Sequence, residues 1–268
     1  MILIRVYASR LAGSVVLISI LTTTCISFAS PKNQEPCPVT LAQKLCDNYS
    51  QIKTLSCQIR KTTKGGEQTV RLLSRVHYKF PNQIHVENVS PIKRTIIADG
   101  KILYYYQERS LRGFSQPIDE LSDLWLASLH NIPGTALEHL IPLHGIEETK
   151  LSNTENGLIQ RGYQAKNTFV VLIVDSKTQL QQINFFKDPE MQTKTGQYIY
   201  SKQQEVSPNC WLPTLHKAIL YLPTGNKITE TSHITNISVN EEIPEHLFNH
   251  DLFMKNIKFT SEYKNTYQ

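Results

Sequence analysis

The sequence predicts a mainly β chain of the α+β class, in which one amphipathic helix precedes a single curved antiparallel sheet. Three observations predict it. Apolar residues recur at helical spacing over residues 40–53 and again over 117–141. From Leu55 onward the period is two almost everywhere else. Turn signals at Gly65-Gly66, Phe80-Pro81-Asn82 and Asp99-Gly100 cut the period-two stretches into strand lengths, which is the pattern of a meander.

The elements follow in order. Arg5 and Arg10 supply a positive start, Leu11 to Leu21 an apolar run, and Ser27-Phe28-Ala29 a small-x-small site. Residues 1–29 therefore read as a secretory signal peptide, with cutting expected after Ala29. The run is short for a membrane span of about 20 residues. An uncleaved anchor and lipid attachment at Cys25 are the alternatives. Residues 30–39, with Pro31, Pro36 and Pro38, form a flexible lead-in. Thr40 suits a helix cap, and Leu41, Leu45, Tyr49 and Ile52 form the apolar stripe of the first helix.

Strands are expected at 55–63, 67–79, 83–89, 92–98 and 102–106, the last two joined by the Asp99-Gly100 hairpin. Residues 117–130 carry Ile118, Leu121, Leu124, Trp125 and Leu129 along one stripe and read as a helix, with a second short helix over 135–141. Strands resume at 157–165, 168–175, 179–186, 196–204, 214–222 and 227–239. Residues 251–268 remain as a C-terminal tail.

Composition excludes several classes. The 268-residue chain carries 28 Lys+Arg and 23 Asp+Glu. Without Arg5 and Arg10 the balance is 26 against 23, weakly basic and scattered, so nucleic acid is not expected as a partner. There is no Gly-x-Ser-x-Gly elbow, Gly-rich phosphate loop or His-Glu-x-x-His, so the chain reads as a non-enzyme without cofactor or metal. Four cysteines remain after cleavage: Cys37, Cys46, Cys57 and Cys210. An even count in an exported chain favours disulfides, with three pairings open. Cys37 with Cys46 is local; Cys57 with Cys210 would tie the first strand to a late one.

Several segments carry a resemblance in their order. Ile52 to Ile59 has the form of a helix-to-first-strand junction. Tyr78-Lys79-Phe80-Pro81-Asn82-Gln83-Ile84-His85-Val86 has that of an aromatic-basic-x-Pro strand pair. Ile97 to Tyr106 carries an Asp-Gly-Lys hairpin, and Asn236 to Asn240 with Ile243-Pro244 and Leu247-Phe248 a closing strand. Over residues 40–250 the chain resembles the LolA-like lipoprotein-carrier superfamily. The resemblance implies an unclosed antiparallel half-barrel with an N-terminal helix and a central helical lid. It also implies a periplasmic protein that shelters acyl chains of lipids or lipoproteins in an apolar concave cavity. Its partners would be acylated lipoproteins, an inner-membrane release complex and an outer-membrane acceptor. An envelope sensor or scaffold of the same fold is the first alternative, a small exported hydrolase the second. Phe80 stands where well-known carriers have a latching Arg.

In a half-barrel, alternate side chains line the concave face. The expected lining is Leu72, Val76, Tyr78, Phe80, Ile84, Val86, Ile96, Leu103, Tyr105, Val171 and Ile173. The expected lid is Leu121, Leu124, Trp125 and Leu129.

Overall fold

The computed structural model describes residues 39–108, 110, 112–121 and 132–261. The signal peptide, Cys25, Cys37, and the lid candidates Leu124, Trp125 and Leu129 lie outside the described residues.

The N-terminal meander comprises β1 (Thr54–Gly65), β2 (Gln68–Lys79), β3 (Gln83–Ser90), β4 (Arg94–Asp99), β5 (Ile102–Gln107) and β6 (Arg112–Pro117). The second comprises β7 (Glu148–Lys150), β8 (Ile159–Ala165), β9 (Thr168–Val174), β10 (Leu180–Phe186), β11 (Lys194–Ser207), β12 (Cys210–Tyr221) and β13 (Lys227–Val239). With β14 (Lys258–Thr260) they form one unclosed sheet in the order β14-β6-β5-β4-β3-β2-β1-β13-β12-β11-β10-β9-β8-β7. The two meanders meet at β1 and β13, which pair antiparallel from Leu55↔Val239 to Gly65↔Ile228. Helix α1 spans Leu41–Tyr49, α2 Leu137–Leu140 and α3 His250–Phe253.

Local chemistry accounts for the turns. Gly100 takes φ +100°, and the Asp99 carboxylate accepts from the N–H groups of Lys101 and Ile102, each at 2.8 Å. Thr40 accepts from the Gln43 N–H at 3.2 Å and opens α1, whose Leu41, Leu45 and Tyr49 are buried.

Topology dictates what covers each face. The chain leaves the first meander at β6, near one edge, and enters the second at β7, the opposite edge. The connection has to cross the sheet. Its described part, 132–147, lies with α1 over one face, called inner here. Ile132, Ala136, Leu137, Leu140 and Leu143 join Leu41, Leu45 and Tyr49 in the main core, against Leu55, Val76, Leu172, Ile183 and Leu212 of the sheet. The outer face is covered differently. Residues 250–260, whose greater part was expected as tail, run back over β4 and β5. Met254 packs with Ile97 and Tyr104, and β14 pairs in parallel with β6.

A Cβ on Gly113 would stand 2.6 Å from Phe259 Cε1 and 3.0 Å from Ile257 Cγ2. Gly113→Val is therefore expected to displace β14. Amide hydrogen exchange at 258–260 should accelerate, while global stability falls by about 1 kcal/mol or less, since only an edge strand detaches.

Candidate functional site

Cross-strand register assigns side chains to the inner face. One row runs Tyr78↔Ile84↔Ala98↔Leu103, and the next Val76↔Val86↔Ile96↔Tyr105↔Phe114. Ile84, Ala98, Leu103, Phe114, Ile118 and Leu121 form a buried cluster, with Val86, Ile96 and Tyr105 packed against it. This is an apolar stretch of the inner face, next to the main core. It brings together most of the expected lining, with Leu121 against it. Leu72 sits further along β2, opposite Lys61, on the same face and only half-buried.

Two expected lining residues belong elsewhere. Val171 and Ile173 lie on the outer face, where they bury with Phe169 and Phe186. Val170, Leu172 and Val174 take the inner positions of β9. Side chains of a strand alternate between faces, so the whole set shifted by one. Phe80 is also excluded. It is 55% exposed in the turn after β2, with Lys53 Nζ 4.7 Å above its ring. The Cys57–Cys210 bridge is absent too: Cys46, Cys57 and Cys210 are buried free thiols of the main core. Burial pushes the Cys46 and Cys57 thiols up to about 12, so they stay protonated and unreactive.

Beside the main core the inner face also carries a polar patch. Lys61 on β1 lies 2.9 Å from Glu230 on β13, with side chains 15% and 9% exposed. Thr63 donates to Glu230 at 3.4 Å. In the adjoining row Ser232 faces His216, which faces Tyr200. The His216 and Tyr200 rings meet edge-on at 5.1 Å. Helix α2 adds Glu138 and His139, whose carboxylate oxygen and Nε2 are 3.2 Å apart. The His139 ring packs on Phe185 and Tyr198 at 5.3 and 4.3 Å. Sequence reasoning missed this group, although a signal existed. Leu55, Cys57, Ile59, Lys61 and Thr63 share one parity, so a buried strand face has to carry Lys61.

Helix α1 is fixed to the far edge by one carboxylate. Glu148 on β7 accepts from the Leu41 N–H at 2.6 Å and the Tyr163 hydroxyl at 2.6 Å, and pairs with Arg161 Nε at 3.0 Å. Tyr163 in turn accepts from the Ala42 N–H at 3.1 Å. Below this anchorage a cleft of about 270 Å³ reaches Leu45, Tyr49 and Leu180 of the core, past Lys44, Lys177 and Trp211.

Acid is expected to weaken the structure. Burial lowers the His216 pKa from 6.5 to about 4, and burial also lowers those of His77 and His85. The neutral ring is the form the fold accepts, so its stabilisation is complete above 6.5 and is lost as pH falls toward 4. For His216 alone this amounts to about 3 kcal/mol. Urea midpoints at pH 7 and pH 4 should differ accordingly, and His216→Gln should flatten that difference.

Among the described residues no helix is long and apolar enough to cross a membrane. No family model and no curated protein matches the chain. Solved structures do share its architecture. A LolA-superfamily protein from Nitrosomonas europaea aligns with TM-score 0.50 and 11% identity, over 77% of this chain and 96% of that one. A DUF1329-family protein from Desulfovibrio piger gives 0.55 and 11%, over 79% and 95%. An outer membrane lipoprotein-sorting protein domain from Vibrio parahaemolyticus gives 0.56 and 9%, over 79% and 96%. At these identities the likeness is one of fold, and the fold is LolA-like.

Proposed function

We propose that this LolA-like chain is a periplasmic carrier that shelters acyl chains of lipids or lipoproteins on its inner face and conveys them toward the outer membrane. The observation that carries the reading is the apolar stretch of that face, an unclosed sheet surface from Tyr78 to Phe114 lined by Leu, Ile, Val and Tyr. Acyl chains gain about 0.8 kcal/mol per buried CH₂, so binding needs no specific polar contact. Release then depends on moving the connection that crosses the face. An inner-membrane release complex and an outer-membrane acceptor would load and unload such a carrier. The fold's likeness to a lipoprotein-sorting domain supports the same reading.

Mass spectrometry of organic extracts tests it. Protein purified from the periplasm is expected to carry acylated molecules in near-stoichiometric amount, and an extract free of them would overturn the carrier reading. That result would favour the same fold acting as an envelope sensor or scaffold. The mass of the mature chain adds the address. Cleavage after Ala29 releases a mobile carrier, and a diacylated Cys25 would tether it.

A further inference from the structure

The cleft beside α1 is built from three separate elements and shares no lining residue with the apolar stretch. Helix α1 supplies one wall, the turn between β9 and β10 a second, and the turn between β11 and β12 with the start of β12 a third. Neighbouring carboxylates fix both turns. Asp175 Oδ1 accepts from the Lys177 and Gln179 N–H groups at 2.9 Å each, and its Oδ2 from Gln181 Nε2 at 3.2 Å. Glu205 accepts from the Asn209 N–H at 3.1 Å. The walls are therefore held in place before any ligand arrives, which lowers the cost of binding one.

The cleft is apolar within and basic at its rim. Leu45, Tyr49 and Leu180 are buried in the main core, whereas Lys44 and Lys177 are exposed and Trp211 is half-buried. No carboxylate lines it. Asp175 and Glu205 serve their turns, and Asp47 accepts from Gln43 Nε2 at 2.7 Å. Neither lysine forms an ion pair among the described residues. The last carbonyls of α1, which would otherwise attract a cation, are occupied. Cys46 O accepts from the Ser50 N–H at 2.9 Å, Asp47 O from the Ser50 hydroxyl at 2.6 Å, and Asn48 O from the Gln51 N–H at 3.4 Å.

Two ammonium groups above an apolar floor, with no acid in the lining, match an anion carried on a compact apolar body. An apolar cavity of about 150 Å³ is enough for benzene. At about 270 Å³ this cleft admits one ring with a short acid arm. We propose that it is a binding site in its own right, for a small organic carboxylate. The carboxylate meets Lys44 and Lys177, and the apolar body rests on Leu45, Tyr49 and Leu180 beside Trp211. The site stands or falls independently of the acyl-chain reading.

Equilibrium dialysis of the purified protein against 3-phenylpropionate, 3-phenylpropionamide and 3-phenylpropylamine at neutral pH and low salt tests the proposal. The acid is expected to bind saturably and roughly tenfold more tightly than the amide, since each exposed ammonium is worth a few-fold, and the amine should bind more weakly than either. Raising the salt to about 0.5 M should shrink the preference. Lys44→Gln combined with Lys177→Gln should bring the ratio of acid to amide to about one, and arginine at both positions should keep most of it. Both side chains are exposed, so these variants are expected to fold. Equal binding of acid and amide by the wild type, or no saturable binding of the acid, overturns the site. A preference that survives in the double glutamine variant overturns it equally, because the anion then binds elsewhere.

Discussion

Lys61→Ala is expected to lower the free energy of unfolding by about 3–5 kcal/mol, the cost of leaving a buried carboxylate without its partner. Burial works against the Lys61 charge, and the Glu230 carboxylate outweighs it, holding the ammonium above the ordinary lysine range. Glu230 is only 7% exposed, and its described contacts are Lys61 and the weak bond from Thr63. Truncating Lys61 removes the charge that compensates it, at the seam between the two meanders. Replacing both partners tests the cause. Lys61→Met with Glu230→Leu should recover most of the loss, because neither desolvated charge remains. Urea unfolding of the two variants makes the comparison. A single-variant loss under about 1 kcal/mol would mean that the pair is effectively solvated.

Glu148→Ala is expected to cost about 3 kcal/mol and to free the start of α1. It removes the acceptor for the Leu41 N–H and the Tyr163 hydroxyl, each left buried or half-buried and unmet, at about 1–3 kcal/mol apiece. It also removes a negative charge from a helix N-terminus, where the dipole favours one. Glu148→Gln keeps an acceptor and should lose about 1 kcal/mol. Hydrogen exchange across 41–49 separates the two effects. If the helix stays protected while stability falls, Glu148 supports β8 through Arg161 rather than α1.

Most of the sheet was legible because its evidence is local. The Asp99-Gly100 hairpin, the Gly65-Gly66 turn and the strand at 227–239 need only alternation and turn chemistry. The strands at 112–117, 148–150 and 258–260 were not read. Gly113 interrupts the first, and the others are three residues long. They exist because a neighbouring edge pairs with them, which no short window of sequence records. The candidate site divides the same way. On β2 to β5 one face is apolar enough for parity to place Val76, Tyr78, Ile84 and Leu103 together. On β9 the run Phe169 to Val174 is apolar on both faces, since both are covered, so alternation offered no choice between Val171 and Leu172. His85 shows the converse. It is 2% exposed on the outer face, where Phe253 lies 4.4 Å from its ring and the Leu247 backbone reaches it, both brought there by segments far along the chain.

The seam between β1 and β13 has a consequence for how the chain is made. Leu55 meets Val239, so the first strand waits for almost the last before its second edge is covered. Local hairpins form early, but this pairing has a large loop to close and sets a slow final step. Until then β1 offers an open row of backbone donors and acceptors, a template for another chain. A chain released early, ending before Lys227, retains the whole first meander and lacks the strand that seals it. Such fragments are expected to aggregate through β1. Under the proposed periplasmic address, such a chain gains from being kept extended until its C-terminal third has crossed the membrane.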